Sequence, residues 1–347
     1  VFIACGVAGA ISAGFNAPSA GVLFAYEALL RRIAVGAIAP IAVASVVAYA
    51  ANQAFFSLEP MLAVPDMSIE LRPLIPFLIF TGVLSALTSV AYMAAIRKGR
   101  ELASRSGWSM PQLLVSCVVV VGSISVVVPD VAGLGLTQIN EIIDAKFGLA
   151  MLFVLLAGKI FVTAYCLNTG FFGGVFGPAL FVGAATGAIV ANVAILAGLA
   201  PHLSYALPIA AIAAVGGAVI GAPLTAIMIV IELTGSYAYG LSAMLCAILC
   251  SLLTLRFFGL SYFDRQLLDR GIDLRLGREH VELSLTPVSE IESSEFVRLE
   301  ANTPLLGAQQ ALIAAQATEA YVCDASDRLI GKVDIHGLAQ ASSLEQA

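Results

Sequence analysis

The chain has 347 residues, of which 60% are hydrophobic and 12% charged, with a mean hydropathy of +0.96 and a formal net charge of −6. Soluble domains carry about 25% charged residues, so a water-facing globular protein is excluded and a membrane protein is indicated. The charge gives no footprint for nucleic acid, and His202, His280 and His336 are scattered.

Five of the six cysteines (Cys5, Cys117, Cys166, Cys246, Cys250 and Cys323) lie in apolar runs without metal-ligand spacing, and they read as small buried hydrophobes. No metal or cofactor is implied. The chain starts at Val1 inside an apolar run without a signal-type n-region, so a fragment with an absent upstream part is expected.

Apolar helices are predicted over 2–14, 17–30, 33–53, 73–96, 110–128, 147–167, 174–197, 203–218, 222–235 and 240–258. Several are shorter than the ~20 residues a straight span needs, and Gly and Pro interrupt them, the pattern of transporters whose helices end inside the membrane. Composition changes after about 275, where polar residues mix with short strand and helix patterns over 283–340, and the last ten residues read as loose.

Lys and Arg placement predicts orientation. Arg31, Arg32 and the Arg97–Arg105 cluster are expected on the cytoplasmic side, and 54–72, with Glu59, Asp66 and Glu70, outside. Arg256, Arg265 and Arg270 then put the C-terminal region in the cytoplasm.

An internal repeat follows. Asn16-Ala17-Pro18 and Gly221-Ala222-Pro223 each open eight mostly apolar residues that end in Glu27 and Glu232. Pro is favoured just inside a helix start, where its missing N–H costs nothing. The charge placement makes the copies run in opposite directions, the mark of an inverted repeat.

The run from Asn168 to Pro178 sits between two apolar helices and is rich in Gly and Pro. A loop there exposes backbone N–H groups, and a helix start adds donors and the positive end of the helix dipole. A dehydrated anion is one partner for them, held without a full opposite charge. A tight packing turn is the other reading, and the residues alone leave both open.

Gly173-Gly174-Val175-Phe176-Gly177-Pro178 resembles the GGIFxP motif of the CLC chloride channel and Cl⁻/H⁺ antiporter family. Phe15 to Phe24 is similar to its FNAPLAGxLF helix, and Ala222 to Ile227 with Glu232-Leu233-Thr234 to its APLTxI helix with a following Glu-x-Thr. The three motifs match in order and spacing over 1–275. The resemblance implies an all-α polytopic membrane protein, with the CLC-type inverted-repeat fold and broken helices. It also implies a homodimer in membrane lipid with one chloride pathway per subunit. By this reading 1–275 holds the end of the first half and the complete second half of the membrane domain.

Carried over by position, Gly174, Val175 and Phe176 form the anion-binding segment, with backbone amides of Val175 and Phe176 facing chloride. Phe263 aligns with the family's tyrosine by its distance from Gly271, whereas a register shifted by one selects Tyr262. The family's GSGxP and GxEGP loops are expected upstream of Val1. Gly277-Arg278-Glu279-His280 echoes the second loop only superficially, because His follows the Glu and the run lies past the last apolar segment. Antiporters of the family often place a proton-transferring Glu just after the position of Glu27, where this chain has Ala28. Glu27 matches the preceding acidic residue, which the family uses structurally. A role at the dimer or cytoplasmic surface is the main expectation for it, a proton pathway the lesser one, and other proton routes stay open.

Residues 276–347 resemble a small α+β CBS domain, with Pro287-Val288 opening the pattern, a helix over 305–315 and a hairpin around Ala325-Ser326-Asp327-Arg328. Gly337 stands where that family often has a ribose-binding Asp, so nucleotide binding is not carried over. The functional expectation is a voltage-gated-type chloride channel in a bacterial inner membrane, with a Cl⁻/H⁺ antiporter as the alternative. A non-transporting CBS-linked sensor is a remote reading. An enzyme is not expected, since the spans hold no paired acids, Ser/His pair or metal cluster.

Overall fold

Long apolar runs become helices in a bilayer because each backbone N–H and C=O must find its partner within the segment. The computed structural model describes residues 1–31, 34–56, 62, 64, 70–273, 286, 287, 290 and 296–338. Arg32, Glu59, Asp66, Gly277–His280, Val288 and, of the final ten residues, all but Leu338 lie outside them. The chain divides into two compact units, Val1–Asp273 and Leu274–Ala347.

The first unit opens with α1 (Phe2–Phe15) and α2 (Pro18–Phe24), which runs on as a π-helix over Ala25–Leu30. Then come α3 (Val35–Phe55), α4 (Leu71–Arg105), α5 (Met110–Val127), α6 (Leu136–Ile143), α7 (Leu149–Asn168) and α8 (Phe176–Leu196). It ends with α9 (Ala206–Ile220), α10 (Pro223–Thr234), α11 (Tyr237–Phe257) and the short α12 (Tyr262–Leu268). Among the described residues, seven helical stretches are long and apolar enough to cross a membrane, so the chain is an integral membrane protein.

Two elements depart from the predicted ones. Helix α4 continues through Arg97, Lys98 and Arg100 to Arg105. At 1.5 Å per residue such a helix outreaches an apolar slab of about 30 Å, so its charged end projects beyond it. Helix α6 was not expected; it is only eight residues long, too short to show as a membrane-type run.

The core is made by α8 against α9, which is buried at every position. Gly183 and Gly187 let the two backbones touch. A Cβ on Gly187 would lie 2.4 Å from the Leu207 carbonyl oxygen, and one on Gly183 2.5 Å from that of Ala211. Lipid supplies no hydrophobic drive between helices, so such close approach is what holds them.

The repeat is visible in the backbone. Asn16 (φ 53°) and Gly221 (φ 75°) are both left-handed, the alanines after them share one non-helical conformation (φ −132°, ψ 81° and φ −135°, ψ 68°), and each proline starts its helix. Asn tolerates that conformation and Gly adopts it freely. At Gly221 the space is also closed, since a Cβ would lie 2.7 Å from that of Ser261.

In the second unit, β1 (Val297–Glu300) runs parallel to β2 (Glu319–Cys323), which pairs antiparallel with β3 (Leu329–Asp334). Helix α13 (Leu305–Ala314) makes the crossover that a parallel pair requires, and its Ala308 and Leu312 pack against Leu299 and Ala320. The turn between β2 and β3 is set by Asp324, whose Oδ1 accepts from the N–H groups of Ser326 and Arg328, each at 2.8 Å.

Candidate functional site

Helix α7 ends at Asn168 because Gly170 (φ 100°) turns the chain, and the Cys166 carbonyl accepts from the N–H groups of Thr169 and Phe171, each at 3.3 Å. The extended run through Gly173 and Gly174 leads to Val175, and α8 begins at Phe176. Helix geometry leaves the first N–H groups of α8 without intrahelical acceptors, and Pro178 has none to lose. Gly174, Val175 and Phe176 are thus brought together as the start of the most buried helix pair in the unit.

Neighbouring side chains fix this start. Tyr92 on α4 is fully buried and donates its hydroxyl to the Val175 carbonyl at 2.9 Å. Phe176 meets Phe15 edge-on, with ring centroids 5.1 Å apart. That contact joins the Gly-Gly-Val-Phe motif to the end of α1, one residue before the first repeat copy. Tyr262 packs beside Val175 and Tyr92 in one apolar cluster. Phe263 is outside that cluster, 40% exposed, and lies edge-on to Tyr262.

A cavity of about 290 Å³ adjoins the loop and is lined by Lys159, Thr163, Cys166, Gly173, Gly174 and Pro178 among others. Lys159 is buried on α7 and donates to the carbonyls of Val131 at 3.0 Å and Gly133 at 2.7 Å. Its ammonium also lies 4.7 Å from the centre of the Phe181 ring, a cation–π contact. A buried cation needs such partners. The cavity therefore brings the glycine loop before α8 and Pro178 together with a cation held by neutral groups.

The two repeat glutamates cap each other's helices. Glu27 accepts from the N–H groups of Leu224 (3.0 Å) and Thr225 (2.7 Å) and from the Thr225 hydroxyl (2.7 Å). Glu232 accepts from the N–H groups of Ser19 (2.8 Å) and Ala20 (3.0 Å). The far end of each copy thus touches the start of the other, which requires the copies to run antiparallel. Both oxygens of Glu27 are engaged as helix caps.

Sequence reasoning missed Lys159, Tyr92 and the reciprocal caps. Lys159 had a signal, as the one Lys or Arg inside the apolar run 149–168. Tyr92 had none, since an aromatic in a long apolar helix looks like any packing residue.

Fold and site together define a class: an inverted-repeat membrane protein in which broken helices place backbone donors beside a buried cavity. The chain belongs to the voltage-gated chloride channel family, whose model matches residues 1–255. It is 30% identical over 253 residues to a protein from Ralstonia nicotianae described as ClcB-like, covering 72% of this chain and 58% of that one. It is 27% identical over 269 residues to the H(+)/Cl(-) exchange transporter ClcA of Vibrio vulnificus, covering 72% of this chain and 56% of the relative. The chain thus spans somewhat more than half the length of these relatives. Among solved structures, that of a slow cyanobacterial Cl⁻/H⁺ antiporter superposes with a TM-score of 0.70 at 21% identity, covering 78% of this chain and 64% of the other. A eukaryotic CLC transporter superposes at 0.62 with 16% identity, over 98% of this chain and 60% of that one.

Proposed function

We propose that the protein carries chloride or a similar small anion across the membrane, in exchange for protons, past the N-terminus of α8. What supports the reading is the break before α8, where Gly173, Gly174 and Pro178 line a cavity that Lys159 also lines and α8 starts at Phe176. Amides bind an anion without the trap of a full opposite charge. By the position match Phe263 stands where the family's tyrosine adds a hydroxyl donor, and Tyr262, packed against the apolar cluster that holds Val175, is the one-residue alternative.

Exchange takes precedence over the channel expected from the sequence because the Vibrio vulnificus relative is named an exchange transporter. The channel remains a second reading on one observation. Ala28 carries no proton, and the oxygens of Glu27 are engaged as caps. The working form is proposed to be a homodimer in a bacterial inner membrane, with the second unit a cytoplasmic CBS domain that regulates or makes dimer contacts.

The test is chloride flux from liposomes holding the full-length protein, with pH recorded at the same time. Chloride running down its gradient should drive protons uphill. Chloride movement without proton movement establishes the channel, and no flux of either ion leaves the CBS-linked sensor.

A further inference from the structure

The cysteines read from sequence as inert packing residues include one pair that the fold brings face to face. Cys117 on α5 and Cys166 on α7 stand with their sulfurs 3.7 Å apart. The other buried membrane thiols have different partners: Cys246 donates to the Leu78 carbonyl, and Cys250 lies against Ser89 and Thr254. We propose that Cys117 and Cys166 are a redox modification site, which a small-molecule disulfide converts to an intrachain disulfide tying α5 to the loop end of α7.

The geometry sets the order of events. Cys166 is half-buried and lines the cavity of about 290 Å³, together with the polar side chains of Ser125, Lys159 and Thr163. Cys117 is 2% exposed and outside that lining. A disulfide entering the cavity meets Cys166 first. The Cys166 thiolate attacks one sulfur, a mixed disulfide forms, and one small thiolate leaves with the Cys166 proton. The Cys117 sulfur then displaces the second small thiol, which takes the Cys117 proton. Two protein thiols are oxidised and one small disulfide is reduced to two thiols, so atoms and electrons balance. Closing the sulfurs to about 2.05 Å needs a local shift of the two helix faces.

The consequence falls on the anion loop. The Cys166 carbonyl holds the N–H groups of Thr169 and Phe171, the first turn of the segment that leads to Val175. A disulfide at Cys166 fixes the residue on which that turn hangs.

The experiment exposes the full-length protein in liposomes to oxidised glutathione and maps its peptides by mass spectrometry. The expected product is a peptide pair joined through Cys117 and Cys166 that dithiothreitol separates. In Cys117→Ser the second step is impossible, so glutathione should stay on Cys166. In Cys166→Ser, Cys117 should remain a free thiol. Two free thiols in the treated wild type, or a glutathione adduct on its Cys166 that never resolves, overturns the proposal. These readouts are covalent and independent of whether the protein moves chloride alone or with protons.

Discussion

The helix that begins at Pro18 and the helix that begins at Pro223 present the same backbone to each other and finish it differently. Each starts after a left-handed residue and a non-helical alanine, and each carries near its end a glutamate aimed at the other's N-terminus. The first copy reaches its glutamate through a π-helix and ends at the left-handed Arg31. The second stays α-helical and ends at Gly235. Glu27 accepts three hydrogen bonds because Thr225 adds a hydroxyl, whereas Glu232 accepts two because Ala20 stands at the matching place. The symmetric part is the part that satisfies backbone donors, for which a bilayer offers no substitute. The asymmetry is of two kinds: a side-chain difference at the starts, Thr225 against Ala20, and a backbone difference at the far ends, where only the first copy runs through a π-helix.

Removing either cap breaks the comparison most. Glu27→Ala strips the acceptor from two backbone N–H groups and a hydroxyl, and an orphaned donor costs about 1–3 kcal/mol. A loss of about 4 kcal/mol is expected, read as a lowered unfolding midpoint in detergent. Glu232→Ala should lose about 3 kcal/mol, because it strips two backbone N–H groups and no hydroxyl. Equal losses would mean that the Thr225 hydroxyl adds nothing to the first cap.

The left-handed positions sharpen it next. Gly221→Ala meets both the positive φ and the Ser261 side chain, 2.7 Å from the new Cβ. It should cost about 2–3 kcal/mol, since left-handed backbone alone costs an L-residue about 1–2 kcal/mol. Asn16→Ala loses the side chain that tolerates φ 53° and the exposed hydrogen bond its Oδ1 accepts from Gln53, and about 1 kcal/mol is expected. A thermal scan of the two variants side by side measures the difference. If Asn16→Ala is as damaging as Gly221→Ala, packing at Ser261 is not what distinguishes them.

These contrasts also mark what a sequence can carry. The repeat was legible because Ala-Pro and Glu recur at one spacing, and helix starts leave local signatures. Membrane helices were legible because continuous apolar runs have few alternatives in lipid. The reciprocal caps were not, because Glu27 and Leu224 meet only after the chain has folded. The same holds for Tyr92 beneath Val175 and for Cys117 against Cys166. In each case the residue types looked ordinary, and their meaning lay in a partner far away in sequence. At the site, the break between α7 and α8 was legible because Gly-Pro chemistry is local, whereas Gly174, Val175 and Phe176 were singled out by the family resemblance. Around the aromatic pair, the sequence favoured Phe263 and kept Tyr262 as the one-residue shift; Tyr262 packs against the apolar cluster that contains Val175, and Phe263 lies edge-on to Tyr262.

The smallest effect belongs to the end of the first copy. Arg31 pairs with Asp264, which also accepts from the Ser261 hydroxyl at 2.8 Å. This joins the first copy to the start of α12, where Tyr262 and Phe263 sit. The second copy, ending at Gly235, has no side chain there to make an equivalent pair. The Arg31 side chain is 35% exposed, and exposed ion pairs are worth about 0–1 kcal/mol and fade with salt. Arg31→Gln should therefore lower the unfolding midpoint by less than either left-handed variant. The gap from wild type should close at high ionic strength, because screening removes in both proteins what the substitution removes in one. A loss that persists undiminished in high salt would show that the guanidinium holds α12 through packing, and the first copy would then be tied to the aromatic pair by more than charge.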